Sequence, residues 1–180
     1  VPLGTEALTI GEIVTFDLDV TLPLAPTLDL KVSDLLPRTE MLLELIDIEH
    51  ISLGADLTPG IFPPDKFITD GNGDGVADTG ELDYGRVIHI LDPPIIDDDD
   101  RIKVRVTAKV LDRRENFNER LDSNSAVVRF LPDTSAADDY PLELVEPVLA
   151  IEKFGSTSRV DAGDAIDYRV IISHANGSRT

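Results

Sequence analysis

Apolar and polar residues alternate one by one through most of this chain, and no stretch sustains the spacing of an amphipathic helix. In the segment Glu12–Leu22, Val14, Phe16, Leu18, Val20 and Leu22 share one parity, while Thr15, Asp17, Asp19 and Thr21 share the other. Side chains of a strand point alternately to opposite faces, so this pattern predicts a half-buried strand. Arg101–Val110 repeats it, with Ile102, Val104, Val106, Ala108 and Val110 facing a core and Lys103, Arg105, Thr107 and Lys109 facing water. Further strands are expected at Leu28–Val32, Leu43–Ile51, Val87–Leu91, Ala126–Leu131 and Leu142–Val145, with prolines between them, where a missing N–H does no harm. Thr39–Ile48 contains good helix formers in a nearly continuous apolar run. Strand is the preferred reading there because its neighbours are strands. Short strands separated by Pro, Gly and Asp turns predict an all-β fold, an antiparallel β-sandwich. Val14, Phe16, Leu18, Val104, Val106 and Val127 are the expected shared core.

Charge narrows the partners. Thirty-five acidic residues against 16 basic ones give a net charge of −19. Such a surface repels phosphate backbones and anionic lipids, so neither nucleic acid nor membrane insertion is expected of this segment. It attracts hard divalent cations that prefer carboxylate oxygens. Cysteine is absent, which removes disulfides and thiolate metal sites. Val1 stands where an initiator methionine would, which leads us to expect a processed or excised segment.

The stretch Pro132–Pro147 is acidic and punctuated by proline, and reads as an inter-domain joint containing a short strand. Beyond it, Ala162-Gly163-Asp164-Ala165-Ile166-Asp167-Tyr168 echoes Ile10-Gly11-Glu12-Ile13-Val14-Thr15-Phe16. Self-similarity at long spacing marks tandem modules. The expected organisation is therefore one domain over 1–146, followed by the truncated start of a second over 147–180. Gly11-Glu12, Val14-Thr15-Phe16 and Ser33-Asp34-Leu35-Leu36-Pro37, with Tyr84-Gly85-Arg86-Val87 and Asn124-Ser125-Ala126-Val127-Val128, carry a family likeness. The chain resembles the bacterial conserved-repeat surface domain, long called domain of unknown function eleven. Arg86 departs from the small residue usual at its position. The resemblance implies Ig-like sandwiches strung in extracellular or cell-surface proteins, without catalysis, whose partners are neighbouring modules of the same chain.

The segment most suggestive of chemistry is Asp70-Gly71-Asn72-Gly73-Asp74-Gly75-Val76-Ala77-Asp78-Thr79-Gly80-Glu81. Asp70, Asn72, Asp74, Asp78 and Glu81 fall on the oxygen-ligand positions of an EF-hand loop, Val76 on the backbone-carbonyl position, and Gly75 on the sharp turn. Carboxylates so crowded repel one another unless a cation lies between them. We therefore expect Ca²⁺ at Asp70, Asn72, Asp74, Val76, Asp78 and Glu81, against the competing reading of a metal-free acidic turn. No helix pair flanks the loop, so its expected role is structural rather than regulatory. Asp97–Asp100 reads as a solvated turn, because consecutive carboxylates project apart. Asp138-Asp139 is a weaker ligand pair of the joint. His50, His89 and His174 are isolated, and neither a nucleophile elbow nor a phosphate loop occurs. A Lys–Asn isopeptide from Lys31, Lys103 or Lys109 to Asn124 is disfavoured, since Lys103 and Lys109 share the outward face. The leading expectation is a Ca²⁺-braced structural spacer of an adhesin-like protein, with no enzyme activity. The alternative is a Ca²⁺-dependent binding module for a glycan or surface protein. Tryptophan, the usual sugar-stacking platform, is absent.

Overall fold

The computed structural model describes residues 6–23, 25–37, 43–89, 96–114, 116, 120–131, 134–146, 149–156, 159, 161–163 and 165–174. These residues form β1 (Glu6–Leu8), β2 (Ile13–Thr21), β3 (Thr27–Leu35), β4 (Leu43–Leu53), β5 (Leu57–Pro59) and β6 (Asp65–Thr69). They continue as β7 (Thr79–His89), β8 (Arg101–Val110), β9 (Leu121–Leu131), β10 (Thr134–Leu144), β11 (Leu149–Gly155) and β12 (Tyr168–His174). One sheet runs β1-β10-β9-β3-β7-β5 with β6 also on β7, and a second runs β2-β8-β4. Pairing is antiparallel except between β1 and β10. Consecutive strands pass repeatedly from one sheet to the other, as in an Ig-like sandwich. The fold is all-β.

The second sheet shows why the alternation matters. Ile102, Val104, Val106, Ala108 and Val110 of β8 are each 0% exposed. Val14 and Phe16 of β2 and Leu45 and Ile48 of β4 are buried in the same core. Leu30 and Val32 of β3, Leu82 and Tyr84 of β7, and Leu142 and Leu144 of β10 supply the other sheet's side. Each fully buried aliphatic side chain contributes roughly 1.5–3 kcal/mol. On the outer face Arg105 clamps Asp17 with Nε and Nη2 at 2.7 and 2.9 Å, and that bonding holds the Asp17 carboxyl below its usual range. Because the pair is exposed, Asp17→Ala is expected to cost less than about 1 kcal/mol in urea unfolding.

Several expectations need correction. Leu18, half-buried, packs against the core as expected, but Val127 does not join it; Val128 and Phe130 of β9 pack there instead. Three apolar residues in a row, Ala126-Val127-Val128, left the parity of that strand open. Pro132–Pro147 is less a joint than the site of a full-length strand, since β10 pairs with β9 from Thr134 to Glu143. Asp97–Asp100 is not wholly solvated. Asp98–Asp100 form a 3-10 turn that Asp97 caps, and Asp100, 1% exposed, accepts the Asp97 amide at 2.9 Å. The expected strand ending Ile90–Leu91, the residues Thr39–Leu42, Pro132, Pro147 and Asp164 lie outside the described residues.

β11 and β12 form a separate two-stranded antiparallel sheet. Its register sets Leu149, Ile151, Val170, Ile172 and Tyr168 on one face. These side chains are between 52% and 71% exposed. Lys153 lies 4.2 Å from the Tyr168 ring centroid.

Candidate functional site

The acidic loop is the connection of a β-hairpin. β6 and β7 pair down to Thr69 opposite Thr79, so residues 70–78 form the loop and Thr79-Gly80-Glu81 already belong to the sheet. Gly80 can enter the strand because its missing side chain makes room: a Cβ there would lie 3.0–3.2 Å from Leu45 and Ile48.

At the loop head the side chains wind the backbone around themselves. Asp70 Oδ1 accepts the amides of Gly73 at 2.6 Å and Asp74 at 3.3 Å, and Oδ2 accepts Gly75 at 2.7 Å. Asn72 Oδ1 takes the Asp74 amide at 3.0 Å, and Asp74 Oδ1 takes that of Val76 at 2.8 Å. Asn72 Nδ2 donates to Asp74 Oδ2 at 3.1 Å. This winding needs positive φ at Gly73 (82°) and Gly75 (89°), which other residues adopt only with strain. Donation by Gly75, supported by Gly73, Asp74 and Asn72, holds the Asp70 carboxyl below the usual carboxylate range. Asp70 is thus kept anionic at an exposed position.

The remaining expected ligands sit lower in the hairpin. Asp78 is 3% exposed and its Oδ1 accepts from the Gly71 amide and the Thr79 hydroxyl, both at 2.8 Å, closing the loop base. Glu81 is drawn into the sheet, where Lys31 Nζ lies 3.1 Å from Oε1 and Ser33 Oγ donates to Oε2 at 3.2 Å. Asp70, Asn72, Asp74 and Asp78 therefore share one loop, and Glu81 stands on the strand behind it. Among the described residues, no three His, Asp or Glu side chains gather in metal-ligand geometry. The loop head nevertheless suits a hard cation: a carboxylate oxygen that accepts one N–H keeps a lone pair for a second partner. Both Asp74 oxygens are in that condition, as is the amide oxygen of Asn72, whereas Asp70 Oδ1 already accepts two amides.

Asp34 and Asn124 form a pair that sequence reading did not bring together. Asp34 on β3 is 0% exposed, and Asn124 Nδ2 donates to its Oδ2 at 2.9 Å. Burial pushes the Asp34 carboxyl up to about 7, against a smaller lowering by the Asn124 bond. Asp34 Oδ1 and Asn124 Oδ1 are both buried without a hydrogen-bond partner. Lys31 meanwhile binds Glu81 and Asp83. His50 Nδ1 lies 3.0 Å from Tyr84 Oη, and its ring meets Phe62 edge-on at 5.2 Å. Burial lowers the His50 pKa.

Among the described residues no helix is long and apolar enough to cross a membrane. No family model matches the chain, and no curated protein does. Among solved structures it is similar to a family 123 glycoside hydrolase from Clostridium perfringens, at TM-score 0.38 and 11% identity over 78% of this chain. The chain spans 22% of that protein's length, and a likeness this loose bears on neither activity nor substrate.

Proposed function

We propose that this chain is a non-catalytic structural module of an extracellular or cell-surface protein, braced by Ca²⁺ in the β6–β7 loop. The observation that carries the reading is the Asp70 carboxylate, which gathers the amides of Gly73, Asp74 and Gly75 and so winds the loop around an exposed anionic site. The proposed ligands are Asp70, Asn72, Asp74, the Val76 carbonyl and Asp78. Glu81, the remaining expected ligand, keeps its partners Lys31 and Ser33. A cation there neutralises the crowded carboxylates and fixes a loop whose ordering otherwise costs entropy.

The spacer role draws on β12. Under the internal echo, Tyr168, Val170 and Ile172 take the places of Phe16, Leu18 and Val20, the inward face of β2. In the hairpin that same face is exposed. We read β11 and β12 as the opening strands of a second module.

Titration calorimetry tests the metal reading. Wild type and Asp98→Ala should bind Ca²⁺ alike, because the Asp98 side chain is 92% exposed and outside the loop. Asp74→Ala should lose the binding, and Mg²⁺ should substitute poorly because it demands a tight octahedron. Equal Ca²⁺ heats in wild type and Asp74→Ala would sink the proposal. Glycan-array binding that appears with Ca²⁺ and vanishes with EDTA would favour the binding-module alternative.

A further inference from the structure

The head of the β6–β7 loop carries a covalent weak point. Asn72 is followed by Gly73, and both residues are exposed. An asparagine side chain can reach the backbone nitrogen of the next residue, which a following side chain ordinarily shields. Gly73 has no side chain, and nothing lies within 4 Å of the place a Cβ would take. The other described asparagines lack this setting. Asn116 precedes Phe117 and is 4% exposed, and Asn124 precedes Ser125 within β9 and is 3% exposed.

The wound loop opposes reaction there. Attack by the Gly73 nitrogen requires its proton to leave, but that N–H donates to Asp70 Oδ1 at 2.6 Å. Negative charge growing on the nitrogen would face a carboxylate. Asn72 Nδ2, the group that must depart, donates to Asp74 Oδ2 at 3.1 Å, and Asn72 Oδ1 accepts the Asp74 amide at 3.0 Å. All three bonds lie in an exposed loop, the kind of segment that opens locally while its sheet stays folded. We propose that Asn72-Gly73 is a self-modification site, held shut by the winding of the loop about Asp70 and Asp74 and reactive when the loop opens. The Gly73 nitrogen bonds to Asn72 Cγ, the Cγ–Nδ2 bond breaks, and Nδ2 takes up the displaced amide proton to leave as ammonia. Water then opens the resulting succinimide at either carbonyl, giving aspartate or isoaspartate. One water is consumed, one ammonia is released, and a neutral amide becomes a carboxylate. Isoaspartate also routes the backbone through an extra methylene, which ends the winding at position 72. The inference rests on the hydrogen bonds of the loop and stands with or without a cation in it.

Peptide mapping of the full chain, held at mildly alkaline pH in EDTA, tests this. Cleavage after Lys66 and Arg86 releases Phe67–Arg86, in which Asn72 is the only asparagine. Asp70→Ala and Asp74→Ala, shown to be folded by circular dichroism, should convert Asn72 at least about tenfold faster than wild type. Asp98→Ala, altered outside the loop, should match wild type, and both isomeric products should appear. Wild type unfolded in urea gives the rate of the fully open loop. A folded Asp70→Ala protein that converts no faster than wild type would overturn the guarding role, and aspartate as the sole product would overturn the succinimide route. Should both loop variants fail to fold, the wild-type rates decide alone: conversion as fast in buffer as in urea would mean that the loop holds nothing shut.

Discussion

Asp34→Asn is expected to make the protein more stable above pH 8 by on the order of 4 kcal/mol, while leaving stability near pH 4 almost unchanged. The folded-state carboxyl stands at about 7 against an ordinary value of 3.8, because burial disfavours its charge. Between those values the unfolded chain has released its proton and the folded chain has kept it. Stability therefore falls as pH rises through this window and levels off above it. About three pH units at roughly 1.4 kcal/mol each give the magnitude. Below pH 7 the protonated Asp34 carboxyl carries no charge to bury, and an asparagine at position 34 carries none at any pH. Asp17, whose carboxyl is held low by Arg105, acts in a different window: its small contribution is lost only below about pH 4. Urea unfolding of both proteins from pH 4 to 9 checks this. Parallel profiles would show that Asp34 does not titrate with folding.

Tyr84→Ala is expected to cost about 3–5 kcal/mol, the range for truncating a buried aromatic side chain. Tyr84 is 0% exposed in the middle of β7. Tyr84→Phe separates packing from polarity, since it keeps the ring and deletes only the hydroxyl bond to His50 at 3.0 Å. Its cost should be near 1 kcal/mol, because half-buried His50 can turn to water. The denaturation midpoints of the two variants give the comparison. A Tyr84→Phe loss as large as that of Tyr84→Ala would place the stabilisation in the hydroxyl rather than in the ring.

The strands most legible in the sequence were those whose alternation is uninterrupted. β8 reads without ambiguity because Ile102 to Val110 keep one parity throughout and all five inward side chains are buried. β4 resisted because it is bulged: the inward residues are Leu43, Leu45 and then Ile48, with the register shifting between Leu45 and Asp47. A bulge switches parity mid-strand, which makes a strand resemble a continuous apolar run. β7 was hidden for another reason. Gly80 and Gly85 read as turn residues, yet one fits under Leu45 and Ile48 and the other adopts φ 62° within the strand. That concealed start is why Glu81 reads as the last loop ligand while it stands in the sheet beside Lys31. The candidate ligands of the Asp70–Asp78 arc were visible from spacing alone, as local motifs are. The Asp34–Asn124 pair was not, because its partners are 90 residues apart and only the sheet brings them together.

Ca²⁺ dependence of the melting temperature tests the brace most directly. A cation bound only by the folded loop stabilises by about 2.7 kcal/mol at a hundredfold excess over Kd. For a chain of 180 residues this corresponds to a rise on the order of 5–10 °C. Scanning calorimetry of wild type, Asp74→Ala and Glu81→Ala in Ca²⁺ and in EDTA separates the loop from the sheet. We predict a rise in wild type, none in Asp74→Ala, and a retained rise in Glu81→Ala from a lower starting point, since that variant loses the Lys31 pairing but not the Asp70–Asp78 arc. A wild-type melting temperature that is the same in Ca²⁺ and in EDTA would contradict the account and leave the loop a metal-free acidic turn.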